Sequence, residues 1–222
     1  MAKHLQREIE NLKRQILALG AKVETSVRDA ALSIEKRDEI LAQNIIDNDI
    51  IIDEAEVEIE EDCLKILALH QPVAIDLRFI VAVLKMNSDL ERIGDLAVNI
   101  AERAIFLAGK PRVNISVDLV EMAHKTMTML RNSLDALINH DSVLAHRVCA
   151  SDDNVDQMNR QMYIEIQEGI TRNPEQIHSL IHLLSVSRHL ERIADHATNI
   201  AEDVIYMLEG RIIRHKSEDY NK

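Results

Sequence analysis

Two stretches 100 residues apart carry the same oxygen-bearing side chains in the same order. Leu90 to Glu102 reads LERIGDLAVNIAE and Leu190 to Glu202 reads LERIADHATNIAE, with ten of thirteen positions identical. On a helix, Glu91, Asp95, Asn99 and Glu102 fall at about 0°, 40°, 80° and 20° around the axis. Glu191, Asp195, Asn199 and Glu202 repeat that arrangement. Ile93, Ala97, Ile100 and Ala104 lie on the opposite side, as do Ile193, Ala197, Ile200 and Val204. The oxygen donors are therefore expected to face away from the core.

The preceding segment of each half carries an acid pair at i, i+4, Asp49 with Asp53 and Asp152 with Asp156. Glu56 and Glu60 extend the first pair, whereas Asn159 and Tyr163 stand in the second half. Antiparallel neighbours bring such pairs together, and carboxylates so gathered repel one another. A bound cation reverses that sign. All-oxygen donors suit hard cations such as Mg²⁺, Ca²⁺, Mn²⁺ or iron, and zinc through Asp and Glu. A single acidic stripe is ordinarily the solvated side of an amphipathic helix. Solvation needs only polarity, however, so two copies of Glu, Asp, Asn and Glu in one order favour a ligand role.

Other groups compete for attention. His178, His182, His189 and His196 fall within about 40° of one another on one helix face. A histidine pair at i, i+4 can chelate a metal, and His196 beside Asp195 is the one expected to touch the acids. Histidines at a helix seam are the plainer reading. Glu121-x-x-His124 and Glu175-x-x-His178 match the i, i+3 element of carboxylate-bridged di-iron enzymes. That architecture needs four helices with these groups inside, while each half here supplies three. Arg188 and Arg192 are spaced to hold an anion or to pair with the neighbouring acids. No activated nucleophile or Gly-rich phosphate loop offers another catalytic route, so the chain is not expected to be an enzyme.

The elements that position these groups are helices. Leu5, Ile9, Leu12, Ile16, Leu19, Val23 and Val27 recur at threes and fours, and the pattern continues along the chain. Gln71-Pro72, Gly109-Lys110-Pro111, Asn173-Pro174 and Gly210 punctuate it, with further breaks expected near Arg37-Asp38 and His140-Asp141. The spacing predicts helices over 4–36, 39–70, 73–108, 116–139, 142–171 and 174–209. Asn173, Pro174 and Gln176 predict a capping box at the last start. A 100-residue repeat is too long for a solenoid unit. It predicts an all-α fold of two tandem three-helix bundles related by duplication, residues 1–110 and 111–222.

Composition agrees. Of 222 residues 46% are apolar, only 5 are Gly and 3 Pro, and the formal net charge is −12. That charge argues against nucleic acid as a partner. Cys63 and Cys149 form no paired motif, and neither a secretory leader nor a membrane-spanning run is visible, which points to a reducing cytoplasm and no membrane insertion.

The stretches QPVAIDLR, LERIGDLAVNIAE and LERIADHATNIAEDVIY, together with both DxxxD pairs, resemble the PhoU family over nearly the whole chain. The resemblance implies tandem bundles with multinuclear iron or zinc clusters on their surfaces. It assigns Asp49, Asp53, Glu91 and Asp95 to one cluster and Asp152, Asp156, Glu191 and Asp195 to the other. Asn99, Glu102, Asn199, Glu202 and Asp203 would support them, and Asn159 and Tyr163 would leave the second cluster smaller or weaker. It further implies a negative regulator of phosphate uptake, held at the inner membrane by a phosphate ABC transporter and a sensor histidine kinase. A homodimer is the expected assembly. The open alternatives are a di-iron enzyme and a metal-free helical adaptor.

Overall fold

A computed structural model describes residues 2–113 and 118–212. Its helices are α1 (Ala2–Lys36), α2 (Glu39–Asn48), α3 (Ile50–His70), α4 (Ala74–Ala108), α5 (Leu119–Asn139), α6 (Ser142–Arg172) and α7 (Ile177–Glu209), with a 3-10 turn over Pro174–Gln176. No strand occurs among the described residues. The expected start of the fourth helix at 116 lies outside them.

The first turn of each half is built alike. Arg37 and His140 adopt left-handed backbone at φ 60° and 52°. The next residues, Asp38 and Asp141, reach back with their amides to Ser33 and Ala136 carbonyls. Their carboxylates then accept from the Leu41 and Leu144 amides at 2.9 Å, capping the following helix. Neither turn has a glycine, so local capping offsets the strain of about 1 kcal/mol at each.

Two expectations of local structure fail. The span 39–70 is not one helix: it breaks at Asp49, whose amide reaches the Ile46 carbonyl at 3.4 Å. Asp47, Asn48 and Asp49 put three residues in a row whose side chains compete for backbone groups, where α6 runs unbroken through Ala150, Ser151 and Asp152. The capping box also does not form. Asn173 makes no side-chain cap, and Pro174 opens a 3-10 turn before α7.

Helices α1 to α4 make one bundle and α5 to α7 the other, and they lie side by side. One continuous core runs through both, from Leu12, Ile16 and Val23 on α1 to Leu190, Ile193 and Ile200 on α7. At roughly 1.5–3 kcal/mol for each large side chain removed from water, this shared core is the main source of stability. The seam is α4 against α7, antiparallel, with α1 against α5 beside it. Lys85 Nζ meets Asp203 Oδ1 at 3.2 Å near one end of the seam. Phe106 stacks on His182 at 3.7 Å near the other. Gly20 on α1 faces Leu134 on α5 so closely that a Cβ there would sit 2.9 Å from a leucine methyl. No described helix is long and apolar enough to cross a membrane.

Candidate metal centres

The apolar positions opposite the acids behave as expected, with Ile93, Ala97, Ile100 and Ala104, and Ile193, Ala197, Ile200 and Val204, all buried. The acid stripe is thereby turned toward the helix that carries the DxxxD pair in each bundle.

In the second half the donors converge. Asp152 and Asp156 of α6 and Asp195 of α7 each offer an oxygen, and the three atoms lie within 4.8 Å of one another. Asp152 Oδ1 is buried without a hydrogen-bond partner. Burial, reinforced by Asp195 and Asp156, pushes the Asp152 carboxyl up to about 7, with Thr198 pulling the other way. Burial and Asp156 raise Asp195, while His196 and Arg192 oppose. Glu191 is raised by burial and then by Asp195 and Asp156, against Arg188 and Arg192. Like charge pressed into a half-buried site is what a cation relieves. Arg160 Nη2 donates to Asp156 Oδ2 at 3.1 Å from an exposed position, and so supplies a partial substitute.

The first half gathers the same residues less tightly. Burial, then Asp53 and Asp95, push Asp49 up to about 6. Glu91 is raised by burial and Asp95, and it also feels Asp53 and Glu56. Burial followed by Glu60 and Asp53 raises Glu56. Six carboxylates thus form one electrostatic cluster across α3 and α4. Among the described residues, three converging oxygens occur only in the second half. The second site, with fewer acids, is the more compact one.

The supporting residues divide. Asn99 donates to the Asp95 carbonyl at 2.7 Å and Glu102 is exposed beside Arg103. Asn199 instead gives its amide to Asp89 of the other bundle at 3.2 Å. Glu202 is buried, 7% exposed, and burial followed by the Glu202 charge raises the Cys149 thiol. Asp203 is buried against Lys85. The α4–α7 seam covers this end of the stripe, so Asn199 and Asp203 face the neighbouring bundle, while Glu202 is buried beside Cys149 of α6 in its own bundle.

His196 follows the same rule. Its Nδ1 lies 2.7 Å from Asp89 Oδ1, so it joins the bundles and does not reach toward the acids. His189 Nε2 lies 3.1 Å from Ser185 Oγ and His182 stacks on Phe106, which makes the stripe a seam feature. Glu121 pairs with Lys125, and His124, Glu175 and His178 are exposed on separate elements. Neither di-iron motif enters a bundle interior.

One pair escaped sequence reasoning. Asn87, buried on α4, donates to the Glu56 carbonyl at 2.8 Å and to Glu56 Oε1 at 3.3 Å. At the matching place Ser187 donates to Asn159 Oδ1 at 2.8 Å. The exchange of Glu56 for Asn159 is thus matched by that of Asn87 for Ser187, a signal visible only with the pairing known.

The PhoU domain matches residues 16–104 and 119–204. The chain is 40% identical over 210 residues to the phosphate-specific transport system accessory protein PhoU homolog of Aquifex aeolicus, covering 95% of each. It is 35% identical to the homolog of the same name from Clostridium acetobutylicum, covering 94% of this chain and 96% of that one. The crystal structure of PhoU from Pseudomonas aeruginosa superposes with a TM-score of 0.89 at 37% identity, covering 93% of this chain and 99% of the other. The phosphate transport system regulatory protein PhoU from Streptococcus pneumoniae superposes at 0.84 and 30% identity, covering 94% and 98%. These relatives are named as accessory and regulatory proteins, not enzymes, as expected for this chain. Two matched domains, high identity over nearly full length and a shared two-bundle architecture together establish that the chain belongs to the PhoU family.

Proposed function

We propose that this chain is a negative regulator of phosphate uptake that works by protein contact and carries metal ions at its two acidic sites. The relatives' names supply the phosphate-transport context. The observation that supports the metal reading is the convergence of Asp152, Asp156 and Asp195 around a buried, unpartnered carboxylate oxygen.

The donor set fits an oxygen-loving or borderline cation. Asp152, Asp156, Glu191 and Asp195 would hold one group, and Asp49, Asp53, Glu91 and Asp95 the other, with iron or zinc as the proposed metals. Such ions supply positive charge with coordination positions left for an incoming anion. The chain's own carboxylates repel one another until an ion is held between them, and a held ion would fix the two helices relative to each other. The partners in this reading are the phosphate ABC transporter and its sensor histidine kinase at the inner membrane. The chain itself is cytoplasmic and homodimeric.

Two measurements test this. A strain lacking the chain should express a phosphate-starvation reporter in phosphate-rich medium, and the intact chain should silence it; a reporter silent in both strains defeats the regulatory reading. Elemental analysis after dialysis should find stoichiometric metal. Metal-free protein that still silences the reporter makes the chain an adaptor.

A further inference from the structure

Helix α3 carries an apolar stripe that its own fold does not require. Ile50, Val57 and Leu64 are 56%, 52% and 54% exposed and stand seven residues apart. They lie about 130° to 170° around the axis from the core line of Ile52, Ile59, Cys63 and Ile66. Ile50 to Leu64 spans about 21 Å, four turns.

The duplication supplies an internal control. The register that matches Asp49 and Asp53 with Asp152 and Asp156 matches Ile50, Val57 and Leu64 with Asp153, Arg160 and Gln167. The equivalent helix of the same fold therefore forms with polar side chains at all three places, so packing does not explain the apolar ones. An apolar stripe retained on one copy and absent from the other marks a contact surface.

Charge identifies what fits it. Asp53 and Glu60 border the stripe on one side, Glu54 and Glu61 on the other, and all four are exposed. Lys65, next to Leu64 in the sequence, is engaged with Asp62 and Glu61 at 3.1 and 3.7 Å. Two acidic borders repel a second copy of the same stripe and an anionic lipid surface. They attract an amphipathic helix whose apolar seam is flanked by Lys or Arg.

We propose that Ile50, Val57 and Leu64 on α3 form the docking surface for a basic amphipathic helix of a partner protein. This rests on the reading that the chain acts by protein contact, and adds the face and the chemistry of the partner. Asp53 and Glu60 belong to both the stripe's border and the first acidic cluster, so a docked helix touches that cluster.

The test titrates the full chain with an 18-residue synthetic helix bearing a leucine seam and lysine flanks, and with its glutamate-flanked counterpart. The lysine peptide should bind, more weakly as salt rises, and the glutamate peptide should not. I50D/V57R/L64Q, which installs the second half's own residues, should keep its helicity and lose binding at least tenfold. Ile50→Gln with Val57→Gln and Leu64→Gln, unchanged in charge, should lose it similarly. Undiminished binding by both variants overturns the proposal. So does parent binding to phosphatidylglycerol vesicles, or a parent dimer that the variants convert to monomer. Variants that lose the peptide yet silence the starvation reporter defeat the docking role and leave the regulatory reading standing.

Discussion

His196 on α7 and Asp89 on α4 meet at 2.7 Å, Nδ1 to Oδ1, with the Asn199 amide on the same oxygen at 3.2 Å. This polar tie links the two bundles between the Lys85–Asp203 pair and the Phe106–His182 stack of the same seam, with both side chains about 15% exposed.

Removing one partner strands the other in a half-buried place, which costs about 1–3 kcal/mol. Asp89→Ala should therefore lower the unfolding midpoint by roughly 3–10 °C for a chain of this length. Asp89→Leu with His196→Leu should lose less than the sum of the singles. The second seam crossing, where the duplication puts Leu96 and His189, shows that leucine is accommodated at such a place. Chemical denaturation of the four-member cycle reads the coupling; strict additivity means that the contact carries no energy.

Gly94 and Ile52 are coupled in the same way. A Cβ on Gly94 would sit 3.2 Å from two Ile52 carbons, while the second half holds Ala194 and Val155 at these places. One methyl has moved from one helix to the other. Gly94→Ala improves helix propensity by up to about 1 kcal/mol but crowds Ile52. Ile52→Val alone loses about 0.5–1.5 kcal/mol. Together they should be more stable than either single, by a coupling of at least about 0.5 kcal/mol. Equal effects of Gly94→Ala in both backgrounds would show that the contact is slack.

The apolar period made the helices and the buried faces of α4 and α7 readable, because a 3.6-residue repeat states which side each helix must hide. The turns at Arg37-Asp38 and His140-Asp141 were readable from a polar pair interrupting that period. What a single helix cannot state is its neighbour. Asn199, His196 and Asp203 sit on a face that looks open on a helical wheel and is covered by α4 in the fold. The break at Asp49 was hidden for a related reason. No Gly or Pro marks it, and only the run Asp47-Asn48-Asp49 distinguishes it from Ala150-Ser151-Asp152, where α6 stays continuous.

Acid should weaken the seam through its histidines. Burial, Arg103 and His178 hold His182 below its ordinary 6.5. Burial, Arg103, Arg192 and Arg188 push His189 down to about 4. A lowered folded pKa means that the unfolded chain binds the extra proton, so this contribution is complete above 6.5 and is lost as pH falls from there toward 4. His182→Phe keeps a ring on Phe106 and removes one titrating group. Its midpoint should fall less steeply than the parent's between pH 6.5 and 4. Parallel curves for parent and variant would show that His182 does not sense this range.

The second acidic site makes the sharpest prediction about metal. Asp152, Asp156 and Asp195 repel one another in a half-buried place, so the chelator-treated protein should gain stability from any ion that these oxygens hold. At a concentration of one hundred times the dissociation constant, the gain is about 2.7 kcal/mol, or roughly 5–10 °C. Asp152→Asn should act in opposite senses in the two states. Without metal it removes one of three like charges and should raise the midpoint slightly. With metal it removes a ligand oxygen's charge and should erase most of the ion-induced rise. The matching change Asp49→Asn should have a smaller effect on the ion-induced shift, because the first half's oxygens are less closely gathered. Calorimetry across Mg²⁺, Mn²⁺, Fe²⁺ and Zn²⁺ decides the matter: a midpoint indifferent to all four, in parent and variants alike, leaves the carboxylates as a solvated face.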